Sequence, residues 1–208
     1  MTVRVQAVVF DIGNVLIEWQ PERHYDRVVG PDRRRAFFNG FDFFGLMDRI
    51  DVGAPFDETV EAEAIRNPGW AAEIRILRDD WSEMARPAIP QSVRLLKSLK
   101  ARRVPVFVLS NFGAQNFPLT EAAFPFLRKF DRRYISGELG LIKPDPAIYA
   151  AVEADCGLPP ESLLFADDRA DNIAAAEARG WQGHLFEHPQ GWADRLVAEG
   201  LLIREEAQ

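Results

Sequence analysis

The chain has 208 residues, a formal net charge of −7 and one cysteine. That length holds one sizeable core, or a core plus an inserted lobe, and the ordinary apolar content argues against disorder. The negative charge excludes a general nucleic-acid binder, no apolar run approaches the roughly 18–20 residues that span a bilayer, and the lone Cys156 fits a reducing cytoplasm.

In chain order, the first element is the apolar run VQAVVF (5–10). The opening MTVRVQAVVFD meets an acidic residue rather than a small-residue cleavage site, so it reads as a strand and not as a secretory signal. The interval from about 18 to 88 contains no convincing buried strand but shows helical periodicity and the aromatic stretch FFNGFDFFGLM (37–47). A crossover between parallel strands needs only about a dozen residues. The spacing therefore predicts an inserted, mainly helical cap over residues 18–87, with residues 1–17 and 88–208 forming the core domain. The insertion leaves the sheet just beyond Asp11, over the strand ends where open α/β sheets bind ligands. It is a lid candidate, and its aromatic stripe reads as lobe core rather than as a substrate box.

The remainder alternates helices and strands. IPQSVRLLKSLKA (89–101) is a helix, followed by the strand runs VPVFVLS (104–110) and RYIS (133–136). PDPAIYAAVEADCG (144–157) is a helix with Asp145 as N-cap, Pro146 at its first position and Gly157 as its stop. LLFA (163–166) is a strand, ADNIAAAEARG (170–180) a helix capped by Asp171, and GHLFE (183–187) a weaker strand. Unbroken Val/Ile/Leu/Phe runs indicate strands covered on both faces. The fold class is therefore α/β, a doubly wound parallel sheet with an inserted helical cap. Cys156 reads as a small buried apolar residue, and the pairs and triplets Arg33–Arg35, Arg102–Arg103 and Arg132–Arg133 read as solvated faces.

Chemistry-bearing residues gather at four strand ends: Asp11; Ser110 and Asn111; Lys143 in GELGLIKPDP; and Asp167, Asp168, Asp171 and Asn172 in FADDRADN. Each has a plain alternative as a loop hydrogen-bonder, a helix cap or a solvated charge. The adjacent acids Asp167 and Asp168 are harder to explain so, because like charges at one buried strand end need a cation or donors. Together the residues suit a phosphate site. Asp11 and Asp168 would hold Mg²⁺, with Asp167 acting through water. Ser110, Asn111 and Lys143 would bind phosphoryl oxygens, and a carboxylate nucleophile would form an acyl phosphate.

The order VVFDIGNV, VFVLSN, GLIKPDPAIY and LLFADDRADN resembles the haloacid dehalogenase superfamily of hydrolases over residues 5–180. More narrowly it resembles subfamily I members with a helical cap after strand one, and DIGNV is similar to the first motif of small sugar-phosphate phosphatases. The resemblance implies a Rossmann-like sheet of order 3-2-1-4-5, Asp11 as nucleophile and Mg²⁺ ligand, and the Gly13 backbone carbonyl as a second ligand. It further implies that Ser110 and Lys143 bind phosphate and that Asp168, assisted by Asp167, completes the metal site.

One position departs from that pattern. Most phosphatases of the family carry a second Asp where this chain has Gly13, and that Asp protonates the leaving oxygen. General acid–base help is typically worth about 10²–10⁴-fold. The expectation is a Mg²⁺-dependent phosphatase of a small phosphorylated metabolite, such as a sugar phosphate, in which Glu18, His24 or water substitutes for the acid. A metal-independent 2-haloacid dehalogenase needs no such proton, but relatives of that type lack the acid pair represented here by Asp167 and Asp168. A non-catalytic binding protein would have little reason to keep the whole set. Carbon–phosphorus cleavage through a lobe lysine is excluded, since the first lysine of the chain is Lys97. The sequence carries no signal for an oligomeric state.

Overall fold

A computed structural model describes residues 4–208, so the N-terminal reading that begins at Met1 lies partly outside the described residues. The first strand, β1 (Ala7–Phe10), is buried throughout. A tight loop leads to β2 (Ile17–Trp19) and then to six helices. These are α1 (Pro21–Val29), α2 (Pro31–Gly40), α3 (Phe43–Asp51), α4 (Phe56–Arg66), α5 (Ala71–Asp79) and α6 (Trp81–Met84). The chain returns through β3 (Ala85–Ala88) and continues as α7 (Pro90–Ala101), β4 (Val106–Ser110), α8 (Phe117–Ala123), β5 (Arg132–Ile135), α9 (Ser136–Leu139) and α10 (Pro146–Cys156). It closes with β6 (Leu163–Asp167), α11 (Ala170–Ala178), β7 (Gln182–Leu185) and α12 (Pro189–Ala198).

Five strands form one sheet in the order β5-β4-β1-β6-β7, all parallel. Counting only these five in chain order gives 3-2-1-4-5, the order the resemblance implied. Successive side chains of a strand point to opposite faces. Val8 and Phe10 accordingly join the cluster built with Leu95, Leu96 and Leu99 of α7 and Trp192 and Leu196 of α12. Ala7 and Val9 join the opposite cluster with Ile148, Tyr149 and Val152 of α10 and Ile173 and Ala176 of α11. Helices thus cover both faces, as the unbroken apolar runs predict.

The caps agree in one case and differ in another. Asp145 caps α10 by accepting from the Ala147 N–H at 2.8 Å, and Gly157 ends that helix in the left-handed region at φ 67°. Asp171 lies inside α11, whose N-cap is Arg169, and the two side chains form an ion pair at 2.6 Å. Cys156 is half-buried rather than buried. The arginines read as solvated are mostly paired: Arg33 with Glu73, Arg34 with Asp26, Arg35 with Asp32, Arg132 with Asp155 and Arg133 with Glu138.

The interval between β1 and α7 differs from expectation at its two ends. β2 and β3 pair antiparallel, Trp19 opposite Ala85 and Ile17 opposite Ala88, as a separate two-stranded ribbon. Three and four residues long, half exposed and irregular in register, these strands give no apolar signature. Between them the helices close on a core of Tyr25, Phe37, Phe43, Phe56 and Leu77, with Tyr25 stacked on Phe37 at 5.4 Å. Trp81 Nε1 donates to Thr120 Oγ1 at 2.9 Å, tying the helical segment to the sheet-bearing part. No helix among the described residues is long and apolar enough to cross a membrane.

Candidate active site

Parallel strands bring all their carboxyl ends to one edge, and there the expected residues meet. Asp11 follows β1, and its N–H extends the ladder to the Ala166 carbonyl at 2.9 Å. Ser110 ends β4 and Asp167 ends β6. Lys143 enters from the loop before α10, joined to Pro144 by a cis peptide bond.

Lys143 is the hub. Its ammonium donates to Asp167 Oδ2 at 2.6 Å and to the Leu109 carbonyl at 3.0 Å, and stands 3.0 Å from Asp11 Oδ1. Burial disfavours its charge, but Asp11 and Asp167 outweigh that and hold its pKa above the ordinary lysine value. Asn111 fixes the backbone beneath it. The Asn111 amide accepts from the Lys143 N–H at 2.8 Å and donates to the Lys143 carbonyl at 2.9 Å. The side chain expected on phosphate thus positions the lysine.

Asp167 is fully committed. One oxygen accepts from Lys143, the other from the Arg169 N–H at 2.8 Å, and the Asn172 amide bridges both at 3.0 Å. Asp168 accepts on Oδ2 from Asn14 Nδ2 at 2.9 Å. Burial, opposed by Asn14, pushes the Asp168 carboxyl up. Burial is also the largest influence on Asp11, against the pull of Lys143 and with the push of Asp167 and Asp168, and its pKa rises to about 6.

The three carboxylates Asp11, Asp167 and Asp168 each offer an oxygen within 4.8 Å of the others. Asp11 Oδ1 is buried without a well-directed hydrogen bond. Concentrated negative charge, with one buried oxygen held only by the nearby Lys143 ammonium, is a donor set suited to a hard divalent cation. Of the three, Asp167 already has both oxygens hydrogen-bonded, to Lys143, the Arg169 N–H and the Asn172 amide.

The loop carrying Gly13 is shaped by Asn14, which lies in the left-handed region at φ 54° that asparagine tolerates. Its N–H donates to the Ile17 carbonyl at 2.7 Å, and its Oδ1 accepts from the Trp19 N–H at 3.0 Å. Sequence reasoning passed over Asn14, although an asparagine beside a glycine is a turn signal. Gly13 itself has no positive φ, and an added Cβ would meet only Trp19 Cβ at an ordinary 3.7 Å. Neither backbone strain nor crowding requires glycine there.

Above this edge is a cavity of about 290 Å³. Asp11, Gly13, Ser110, Lys143 and Asp168 form its floor, and Trp19, Phe44, Met47, Trp81 and Phe112 line its apolar side. The aromatic stripe therefore divides: Phe37 and Phe43 are buried among the helices between β2 and β3, while Phe44 and Met47 line the cavity. Glu18 also lines the cavity and pairs with Arg23 at 2.7 Å. His24 does not. It is buried between Asp80 at 2.8 Å and Arg27 at 2.9 Å, beside a separate cleft.

A third residue of the helical segment was not anticipated. Asp51, the last residue of α3, is buried at the cavity wall with its Oδ1 unpartnered. Burial is the main cause, with Asp48 and Asp11 adding to it, of a pKa pushed up to about 7 against the pull of Lys143 and the Gly113 N–H. One signal was present. A carboxylate at a helix C-terminus opposes the macrodipole.

The model of the haloacid dehalogenase-like hydrolases matches residues 5–180. The chain belongs to this family. Among these hydrolases and their kin, a sesquiterpene phosphatase of Aspergillus oryzae, astK, is 25% identical over 90% of this chain and 93% of its own length. Drimenol cyclase drtB of Aspergillus calidoustus is 32% identical over 39% of this chain, which spans 15% of that protein. An (S)-2-haloacid dehalogenase of Pseudomonas fluorescens is 27% identical over 50% of this chain and 46% of its own length. A haloacid dehalogenase family enzyme of Bacteroides thetaiotaomicron, solved in complex with magnesium and inorganic phosphate, superposes with a TM-score of 0.69. It is 25% identical, with 86% of this chain and 93% of that one covered.

Proposed function

We propose that the protein is a Mg²⁺-dependent phosphatase of a small phosphate monoester, acting through an aspartyl phosphate on Asp11. The observation that carries the reading is the cluster of buried Asp11, Lys143 and Asp167 with half-buried Asp168. A halide displacement needs one carboxylate, whereas here a single ammonium, Lys143, stands among three, and the excess negative charge is costly unless a cation offsets it. Bound Mg²⁺ would neutralise phosphoryl charge. Asp11 and Asp168 hold it, with the Gly13 carbonyl as the third protein ligand. Lys143 and Ser110 bind phosphoryl oxygens, Asn111 and Asp167 keep the lysine in place, and Asp11 attacks phosphorus in line.

We read residues 18–87 as the cap that closes on the substrate and excludes water. Its apolar wall of Trp19, Phe44, Met47 and Trp81 favours an ester with a largely apolar organic group. The full-length similarity to a sesquiterpene phosphatase supports that choice. A sugar phosphate is the second reading, favoured by Glu18, Asp48 and Thr120 on the same wall, which suit hydroxyl groups. The lone Cys156 keeps the cytoplasm as the expected compartment.

The test is a panel of apolar alkyl phosphates, sugar phosphates and a 2-chloro acid, each with Mg²⁺ and with chelator. Phosphate release that requires Mg²⁺ and favours apolar esters is expected. Undiminished turnover in chelator, with chloride released from the chloro acid, would move the protein to the dehalogenases.

A further inference from the structure

We propose that Asp51 is the catalytic acid of this enzyme, protonating the leaving oxygen from the lobe in place of the carboxyl that Gly13 lacks. The assignment rests on the phosphatase reading above. Three independent observations converge on it. Asp51 lines the cavity that has Asp11 in its floor, from the element that lies over the strand ends. Its Oδ1 is buried without a hydrogen-bond partner, which is costly in a finished structure unless a ligand completes it. It also stands outside the close cluster of Asp11, Asp167 and Asp168, so a phosphoryl group can sit between that cluster and Asp51.

The alternatives are less well placed. His24 is buried between Asp80 and Arg27 away from the cavity, and the Glu18 carboxylate is engaged by an arginine. The groups facing Asp51 are Asp48 from its own helix, Asp11 and Lys143 from the core edge, and the Gly113 N–H. Two of these are acids, and the helix end presents its negative pole to the same carboxyl. Such surroundings favour a carboxyl that carries its proton into the reaction.

The proton balance is complete. Asp11 attacks phosphorus as the bond to the leaving oxygen breaks, and the Asp51 proton moves to that oxygen, releasing a neutral alcohol. Asp51, now a carboxylate, takes a proton from the water that attacks the aspartyl phosphate. Hydrogen phosphate leaves, and Asp11 carboxylate and Asp51 carboxylic acid are restored. No oxidant, reductant or further reactant is needed.

The experiment plots log kcat/KM against leaving-group pKa for aryl and alkyl phosphates, using the full chain with Mg²⁺. The wild type should give a shallow line, because the departing oxygen is protonated. Asp51→Asn should fall by about 10²–10⁴-fold on alkyl phosphates and far less on nitrophenyl phosphate, steepening the line. Asp51→Glu should recover part of the loss, and a cooperative melt of Asp51→Asn no lower in temperature than that of the wild type separates this from misfolding. A steep wild-type line overturns the assignment without any variant. Parallel lines for wild type and Asp51→Asn also overturn it, while leaving the phosphatase reading intact. Absence of Mg²⁺-dependent turnover of every ester would remove that reading, and the role of Asp51 with it.

Discussion

Lys143 Nζ donates to Asp167 Oδ2 at 2.6 Å with both side chains buried, and this contact gathers the strand-end carboxylates around one positive charge. Removing the ammonium leaves Asp11 and Asp167 buried against each other. Breaking a buried pair by deleting one partner typically costs about 3–5 kcal/mol. Lys143→Met should therefore lower stability by about that amount in metal-free buffer, read by urea unfolding. It should also reduce phosphate-ester turnover by at least about 10²-fold. Full activity with unchanged stability would show that the lysine is a bystander.

The pH dependence of stability has a definite sign. Asp11 and Asp51 have folded pKa values raised to about 6 and about 7, from 3.8. The folded state binds more protons than the unfolded chain across that interval, so metal-free stability should fall as pH rises from about 4 to about 7 and level off above. Asp51→Asn should flatten the upper part of this slope and be more stable than wild type at pH 8. Thermal unfolding in chelator from pH 4.5 to 8 reads both. A stability that climbs through this range would contradict the burial of these two acids.

How much of this edge was readable beforehand depends on how each residue earns its place. Asp11, Ser110, Lys143 and the Asp167–Asp168 pair are announced by apolar runs that end in polar residues, a pattern local in the chain. The roles of Asn111 and Asn14 are not local. Asn111 reaches across 32 positions to clamp Lys143, and Asn14 reaches Asp168 across 154. Asp51 had no apolar strand before it, and its importance comes from where the lobe carries it. The ribbon of β2 and β3 was invisible because two short, half-exposed strands leave no periodic trace. His24 illustrates the converse error, since proximity in sequence to Asp11 did not bring it to the cavity.

Gly13 offers a direct complement to the Asp51 assignment. With no positive φ and only an ordinary contact to Trp19 awaiting a Cβ, Gly13→Asp should fold. In an Asp51→Asn background it should restore alkyl phosphate turnover by about ten-fold or more, since it returns an acid to the leaving-group side. Steady-state kinetics on one alkyl and one nitrophenyl ester suffice. Equal effects on the two esters would mean that the new carboxyl transfers no proton to the leaving group.

Phe44 is 55% exposed yet borders the cavity, so it contributes little to the core. Phe44→Ala should change stability by no more than about 0.5 kcal/mol. For an apolar phosphate ester it should raise KM several-fold while leaving kcat nearly constant, the mark of lost uniform binding. If KM for apolar and sugar esters rises alike, the apolar wall does not select the substrate.

The ribbon has a consequence for how this enzyme can change. Trp19 and Ala85 face each other across two hydrogen-bonded strands, so the whole helical segment departs and returns through neighbouring points. Chain ends held that close suit exchange of the segment between them, provided the new segment also packs against the sheet-bearing part as Trp81 does on Thr120. A lobe of different length or helix count can be grafted at this junction while Asp11, Lys143 and Asp168 keep their register. The bond-breaking apparatus is then inherited intact, and the choice of molecule becomes an exchangeable part. Asp51 sits on the exchangeable side, so any donor lobe must bring its own acid or be matched with a carboxyl at position 13.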